Sequence, residues 1–98
     1  MKHQSKERLE NYECKYIISY SIQHLPYKDK IRFYYALKGR DGKSGMIAMM
    51  NIDHLARAIV LLKEKYYKEF IEFLVYWKCS SIAKKVYMKR EVKEHYES

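Results

Sequence analysis

Apolar positions along the chain change period twice. Tyr16, Ile18, Tyr20 and Ile22 alternate with Lys15, Ile17, Ser19, Ser21 and Gln23. That two-residue period is the mark of a half-buried strand and predicts one over 15–24. Ile31, Phe33, Tyr35 and Leu37 alternate likewise with Arg32, Tyr34, Ala36 and Lys38, predicting a second strand over 31–39. The link between them, His24 to Lys30, is polar and holds the chain's one proline. Gly39 to Gly45 reads as a hairpin turn, because Asp41-Gly42 supplies the positive backbone angles such turns need. Met46 to Met50 then makes a short third strand over 45–50.

At Asn51 the spacing changes. Ile52, Leu55, Ile59, Leu62, Tyr66, Phe70, Leu74 and Trp77 recur every three or four residues, which predicts a long helix over 51–78. Asn51 suits its N-cap, and Asp53 meets the positive end of the helix dipole. Between Leu55 and Trp77, sixteen of twenty-three residues are apolar, more than one buried helix face accounts for. A second surface must cover the excess, either the C-terminal segment or another copy of the chain. A homodimer through Phe70, Phe73, Leu74 and Trp77 is therefore expected. Ser80-Ser81 caps a C-terminal helix from Ile82, in competition with a strand from Lys85 to Val92, and Ser5 to Glu13 forms a short N-terminal helix. The expected architecture is α+β, one domain over 1–98, with a three-stranded antiparallel sheet packed on the long helix.

Charge adds a direction to this scaffold. The net charge is +8, and it is unevenly spread. Residues 27–43 carry six basic and two acidic groups, residues 78–90 five basic and none acidic, and 44–77 four of each. Positive charge on either side of a neutral scaffold points to a polyanionic partner. Tyrosine supplies eleven of the fifteen aromatic residues, and its apolar body with a polar tip suits interfaces and base stacking. The start, Met1 to Glu7, has no apolar signal region, and no uncharged run approaches the ~18 residues of a membrane span. With only Cys14 and Cys79, no secreted disulfide framework is available. Cytoplasmic residence follows as the expectation.

Candidate chemistry is sparse. Gly-Lys-Ser at 42–44 ends a glycine-containing loop, but a phosphate loop needs two more residues and a following helix, so a turn is the better reading. His3, His24, His54, His95 and the two cysteines show no close metal-ligand spacing. The carboxylates sit at helical spacing from lysines, as Glu64–Lys68 does, which marks solvated faces. No catalytic residue, metal or cofactor is predicted. The second strand is different: with Phe33 and Leu37 inward, Arg32, Tyr34 and Lys38 share the outer sheet face with Arg40 and Lys43 of the turn. Cations around an aromatic bind phosphates and stack bases. Lys84, Lys85, Lys89 and Arg90 form a second basic cluster. The expected function is non-enzymatic binding of DNA or RNA through these residues, as an accessory protein. A protein–protein interaction module, for instance one that antagonises a host factor, is the alternative.

Asn and Gln total four residues while Lys and Glu total twenty-four, a bias associated with hyperthermophile proteins. With runs such as Lys65-Tyr66-Tyr67-Lys68-Glu69-Phe70, the whole chain resembles, in compositional style, small proteins of viruses infecting hyperthermophilic archaea. That resemblance implies residence in a host cytoplasm, and it makes an intracellular Cys14–Cys79 disulfide possible. The α-β-β-β-α order also resembles the double-stranded-RNA-binding domain, and β-β-β-α the sheet-type DNA-binding domains of some integrases. Where the RNA domain carries a Lys-Lys-x-Ala-Lys cluster, this chain has Asp53-His54-Leu55-Ala56-Arg57.

Overall fold

The first strand sits at the centre of the sheet, and everything else is placed by it. The computed structural model describes residues 11–90. Its elements are β1 (Tyr12–Tyr20), α1 (Tyr27–Lys38), a one-turn α2 (Met46–Met49), β2 (Asp53–Ala56), β3 (Ile59–Lys63), a 3₁₀ turn (Glu64–Tyr66), α3 (Tyr67–Tyr76) and β4 (Ser81–Lys89). The sheet order is β2-β3-β1-β4, and every neighbouring pair is antiparallel. With α2 set aside, β-α-β-β-α-β in this strand order is the ferredoxin-like, split β-α-β topology.

The class is α+β with an antiparallel sheet, as expected, but the sheet has four strands instead of three, and the first strand covers 12–20 instead of 15–24. The remaining elements differ. Residues 27–38 are helix, not strand. Pro26 ends the preceding segment, Asp29 lies in the first turn, and Gly39 closes the last turn at φ 84°, its N–H donating to Tyr35 O at 2.8 Å. Phe33 and Leu37, one helical turn apart, are the fully buried pair. Residues 46–49 are a helical turn instead of a third strand.

The expected long helix over 51–78 is two strands, a turn and a helix. Asn51 is not an N-cap but the left-handed residue (φ 52°) that ends α2. Its N–H donates to Ala48 O and that of Ile52 to Ile47 O, the paired bonds of a Schellman close. Arg57-Ala58 then turns β2 into β3, with Ala58 at φ 63°. The run Ile59-Val60-Leu61-Leu62 is apolar on both faces because β3 is a central strand: Val60 and Leu62 point into the core, and Leu61 lies on the other face. The surplus of apolar residues thus marks an internal strand. The C-terminal helix is also replaced, since 81–89 is a strand paired with all of β1. The N-terminal helix expected over 5–13 lies largely outside the described residues, and Tyr12 and Glu13 belong to β1. Loss of the α-β-β-β-α order removes the likeness to both nucleic-acid-binding domains.

Helices cover one face of the sheet. Ile18, Val60 and Leu62 meet Phe33, Leu37, Phe70 and Leu74 there, all within 1% of full burial. The aromatic rings interlock: Phe33 lies 5.2 Å from Phe73, 5.8 Å from Trp77 and 5.7 Å from Tyr20, and Tyr16 stacks on Tyr67 at 4.0 Å. Each such pair adds roughly 0.5–1.5 kcal/mol beyond its area. Phe70, Phe73, Leu74 and Trp77, expected at a dimer contact, are therefore occupied inside their own chain. A homodimer would have to use some other surface.

Register places Glu13, Lys15, Ile17 and Ser19 of β1, Ile59, Leu61 and Lys63 of β3, and Ile82, Lys84, Val86 and Met88 of β4 on the face away from the helices. No aromatic residue stands among them. The stacking platform by which RNA-recognition sheets hold bases is absent from this face of the described strands.

Candidate functional site

Helix α1 runs beside the β2–β3 hairpin and leaves a cationic cleft between them. On a helix, Lys30, Tyr34 and Lys38 share one face at i, i+4 and i+8. Facing them are His54, on the helix-covered side of β2, and Arg57 in the hairpin turn. The cleft has two chambers. One of about 360 Å³ is lined by Tyr34, Lys38, His54, Arg57 and Ala58. The other, about 400 Å³, is lined by Tyr20, Ile22, Lys30, Tyr34, Arg57 and Ala58 together with Ser21 and Gln23. Tyr34, Arg57 and Ala58 form the wall they share. Among the described residues no carboxylate lines either chamber.

The electrostatics follow from that one-sided charge. Lys38 Nζ lies 5.2 Å from the centre of the Tyr34 ring, a cation over an aromatic face. Partial burial and the nearby Lys38 ammonium hold the His54 imidazole below its ordinary range, since a second positive charge there is disfavoured. At the inner end stands Tyr20, buried against Phe33 and Phe70. Its hydroxyl has no hydrogen-bond partner among the described residues. Burial, with Tyr34 and Cys79 close by, pushes its pKa up to about 12.

Of the first predicted cluster, the structure brings together Tyr34 and Lys38 only. Arg32 lies about 160° around α1 from Tyr34, as 3.6 residues per turn dictates. It pairs with Asp29 at 3.5 Å and borders a separate groove with His24, Tyr76 and Trp77. Arg40 lies over Tyr35 at 4.8 Å, and Lys43 is in the loop beyond. These residues are not on a sheet face, because their segment is a helix. Lys30, His54 and Arg57 escaped the sequence reading. The i, i+4, i+8 spacing of Lys30, Tyr34 and Lys38 was the available signal, hidden by the strand-like alternation.

The second cluster is split. β4 turns Lys84 and Arg90 to the open face and Lys85 and Lys89 to the other, where Lys85 lies 3.9 Å from Glu64. The four cations therefore do not form one patch on a helix. A further concavity, about 420 Å³, opens on the uncovered sheet face. There Lys15, Lys63 and Arg90 meet Glu13 and Asp53, so the charges offset one another. That balance makes it a poorer anion site than the α1 cleft.

The loop 39–45 is not a phosphate loop either. Asp41 Oδ1 accepts from the Lys43 and Ser44 N–H groups at 2.8 and 2.9 Å and from the Ser44 hydroxyl at 2.9 Å. The donors that would cradle an anion are already taken by the loop's own carboxylate, whose pKa they lower. Burial first, and for Cys14 also Glu64, raises both thiol pKa values, which leaves fewer thiolates to act as nucleophiles. The two cysteines flank opposite ends of β1. Cys14 pairs with Tyr87, whereas Cys79 adjoins Ser80, which accepts from Ser21 N–H. Six strand residues separate those ends by ~20 Å, too far for a disulfide within the chain. No His, Cys, Asp and Glu grouping among the described residues suits a metal ion. No described helix is long and apolar enough to cross a membrane. Comparison with known families, with curated proteins and with solved structures gives no match.

Proposed function

We propose that the chain is a non-enzymatic nucleic-acid-binding protein whose contact surface is the cleft between α1 and the β2–β3 hairpin. The observation that carries this reading is the convergence of Lys30, Lys38, Arg57 and His54 around Tyr34, with no carboxylate among the described lining residues. Phosphate oxygens fit ammonium and guanidinium donors, and an aromatic at their centre favours a strand with exposed bases. Arg40 and Lys43, past the end of α1, extend the positive surface along a bound backbone. The test is affinity for single strands as a function of salt. Replacing Lys30, Lys38 and Arg57 together by Ala should lower the slope of log K against log salt by about two, near 0.7 per phosphate released. Replacing Lys84, Lys85 and Lys89 should leave the slope closer to wild type. The reverse ranking would move the site to β4.

Docking on a protein remains the second reading, and one feature favours it. The uncovered sheet face carries exposed apolar side chains among its charged ones, with Ile82 68% and Met88 38% exposed. Absence of binding to any oligonucleotide would leave that reading in place.

A further inference from the structure

The two chambers differ in chemistry, and the difference matches the two halves of a nucleotide. The outer one presents Lys38, His54 and Arg57, donors suited to a phosphate. The inner one shares Tyr34, Arg57 and Ala58 with it and carries Lys30, Ser21 and Gln23, but adds the Tyr20 ring and Ile22; the Tyr20 hydroxyl, without a partner among the described residues, is buried. A buried polar group without a partner is rare in folded proteins and calls for an explanation, a missing ligand among them. About 400 Å³ lies at the lower end of the range for small-molecule sites. That is room for one planar heterocycle rather than a stack of several.

From this geometry we infer that the cleft captures a single unstacked nucleotide, its base in the inner chamber against Tyr34 and Tyr20 and its phosphate in the outer one. The inference rests on the nucleic-acid reading above and makes it more specific, because it requires a base and not only a backbone. Single strands are then the natural ligand, since a duplex would have to give up pairing and stacking to deliver a base.

Fluorescence anisotropy with labelled single-stranded DNA and RNA decides it, each compared with an abasic strand of the same length and charge and with the duplex. Base-bearing strands should bind about tenfold or more tighter than abasic ones, the usual scale of one stacked base. Tyr34→Leu should bring that ratio toward one with little change in abasic affinity. Lys38→Ala should weaken both strands alike. The comparison of base-bearing with abasic strands is made on the wild-type chain, so the test does not depend on Tyr34→Leu folding. A wild-type ratio near one, or duplex binding as tight as single-strand binding, would overturn the inference while leaving backbone recognition standing. No binding to any strand would remove both.

Discussion

Two residues hold conformations or groups that cost stability, and each has a measurable consequence. Lys78 sits at φ 57° just past α3, where its N–H donates to Val75 O and that of Cys79 to Leu74 O, both at 2.9 Å. This is the position where glycine is the common choice, because a Cβ is strained there. Lys78→Gly should stabilise the fold by about 0.5–1 kcal/mol after the loss of chain entropy is set against the relieved strain. Urea unfolding with an unchanged m-value would register it, and a loss of stability would mean the lysine side chain has a structural role. Tyr20 is the second case. Its buried hydroxyl has no partner among the described residues, so Tyr20→Phe should be neutral or stabilising by up to ~1 kcal/mol. A loss beyond 1 kcal/mol on the same titration would reveal a hydrogen bond.

Among the elements, the α1–α2 connection is the most constrained. Gly39 and Gly45 approach so closely that a Cβ on Gly45 would collide with the backbone of Gly39 and Leu37. Gly45→Ala should therefore cost about 1–3 kcal/mol by overpacking. Gly42→Ala, with open space around it but φ +75°, should lose only the ~1–2 kcal/mol of a left-handed alanine. Paired thermal melts separate the two. Legibility also divides at this scale. β1 was readable because its alternation was undisturbed on a strand with one covered face. α1 was hidden because Ile31, Phe33, Tyr35 and Leu37 alternate by chance, while Pro26, Asp29 and Gly39 carried the true start and stop signals. The segment after Asn51 was misread because a strand buried on both faces, followed at once by an amphipathic helix, reproduces a three-to-four spacing. Its hairpin turn is Arg57-Ala58, and neither residue advertises a turn. The site suffered in consequence: Tyr34 and Lys38 were legible, but their partners His54 and Arg57 lie across a contact that exists only once 53–63 is a hairpin.

For the whole molecule, nucleic-acid binding at the proposed cleft would be coupled to protons. His54 faces Lys38 and Arg57 beside Tyr34, and partial burial with the Lys38 charge holds its imidazole below the ordinary value of 6.5. A folded pKa below the unfolded one means the unfolded chain binds more protons in that window. The associated stability is then present above the ordinary value and is lost as pH falls through it. Bound phosphate reverses the bias by placing negative charge against the ring. Binding therefore takes up a proton, and affinity for single strands should climb as pH drops from ~7 to ~5.5. His54→Ala should flatten the profile. An affinity that falls on acidification in the wild type would show that His54 does not meet the anion.

The central place of β1 bears finally on how the chain is made. Ile17 is paired with Leu61 and with Lys84, so the strand synthesised first waits for partners encoded far downstream. As the chain leaves the ribosome, Tyr16-Ile17-Ile18 emerges long before either neighbour, and loop closure over such separations slows folding. A nascent chain stopped near residue 80 would have β3 but not β4, leaving one edge of β1 open to another chain. Ribosome-stalled fragments ending before and after 81–89 should thus differ sharply in protease resistance, with protection arriving only at the longer length.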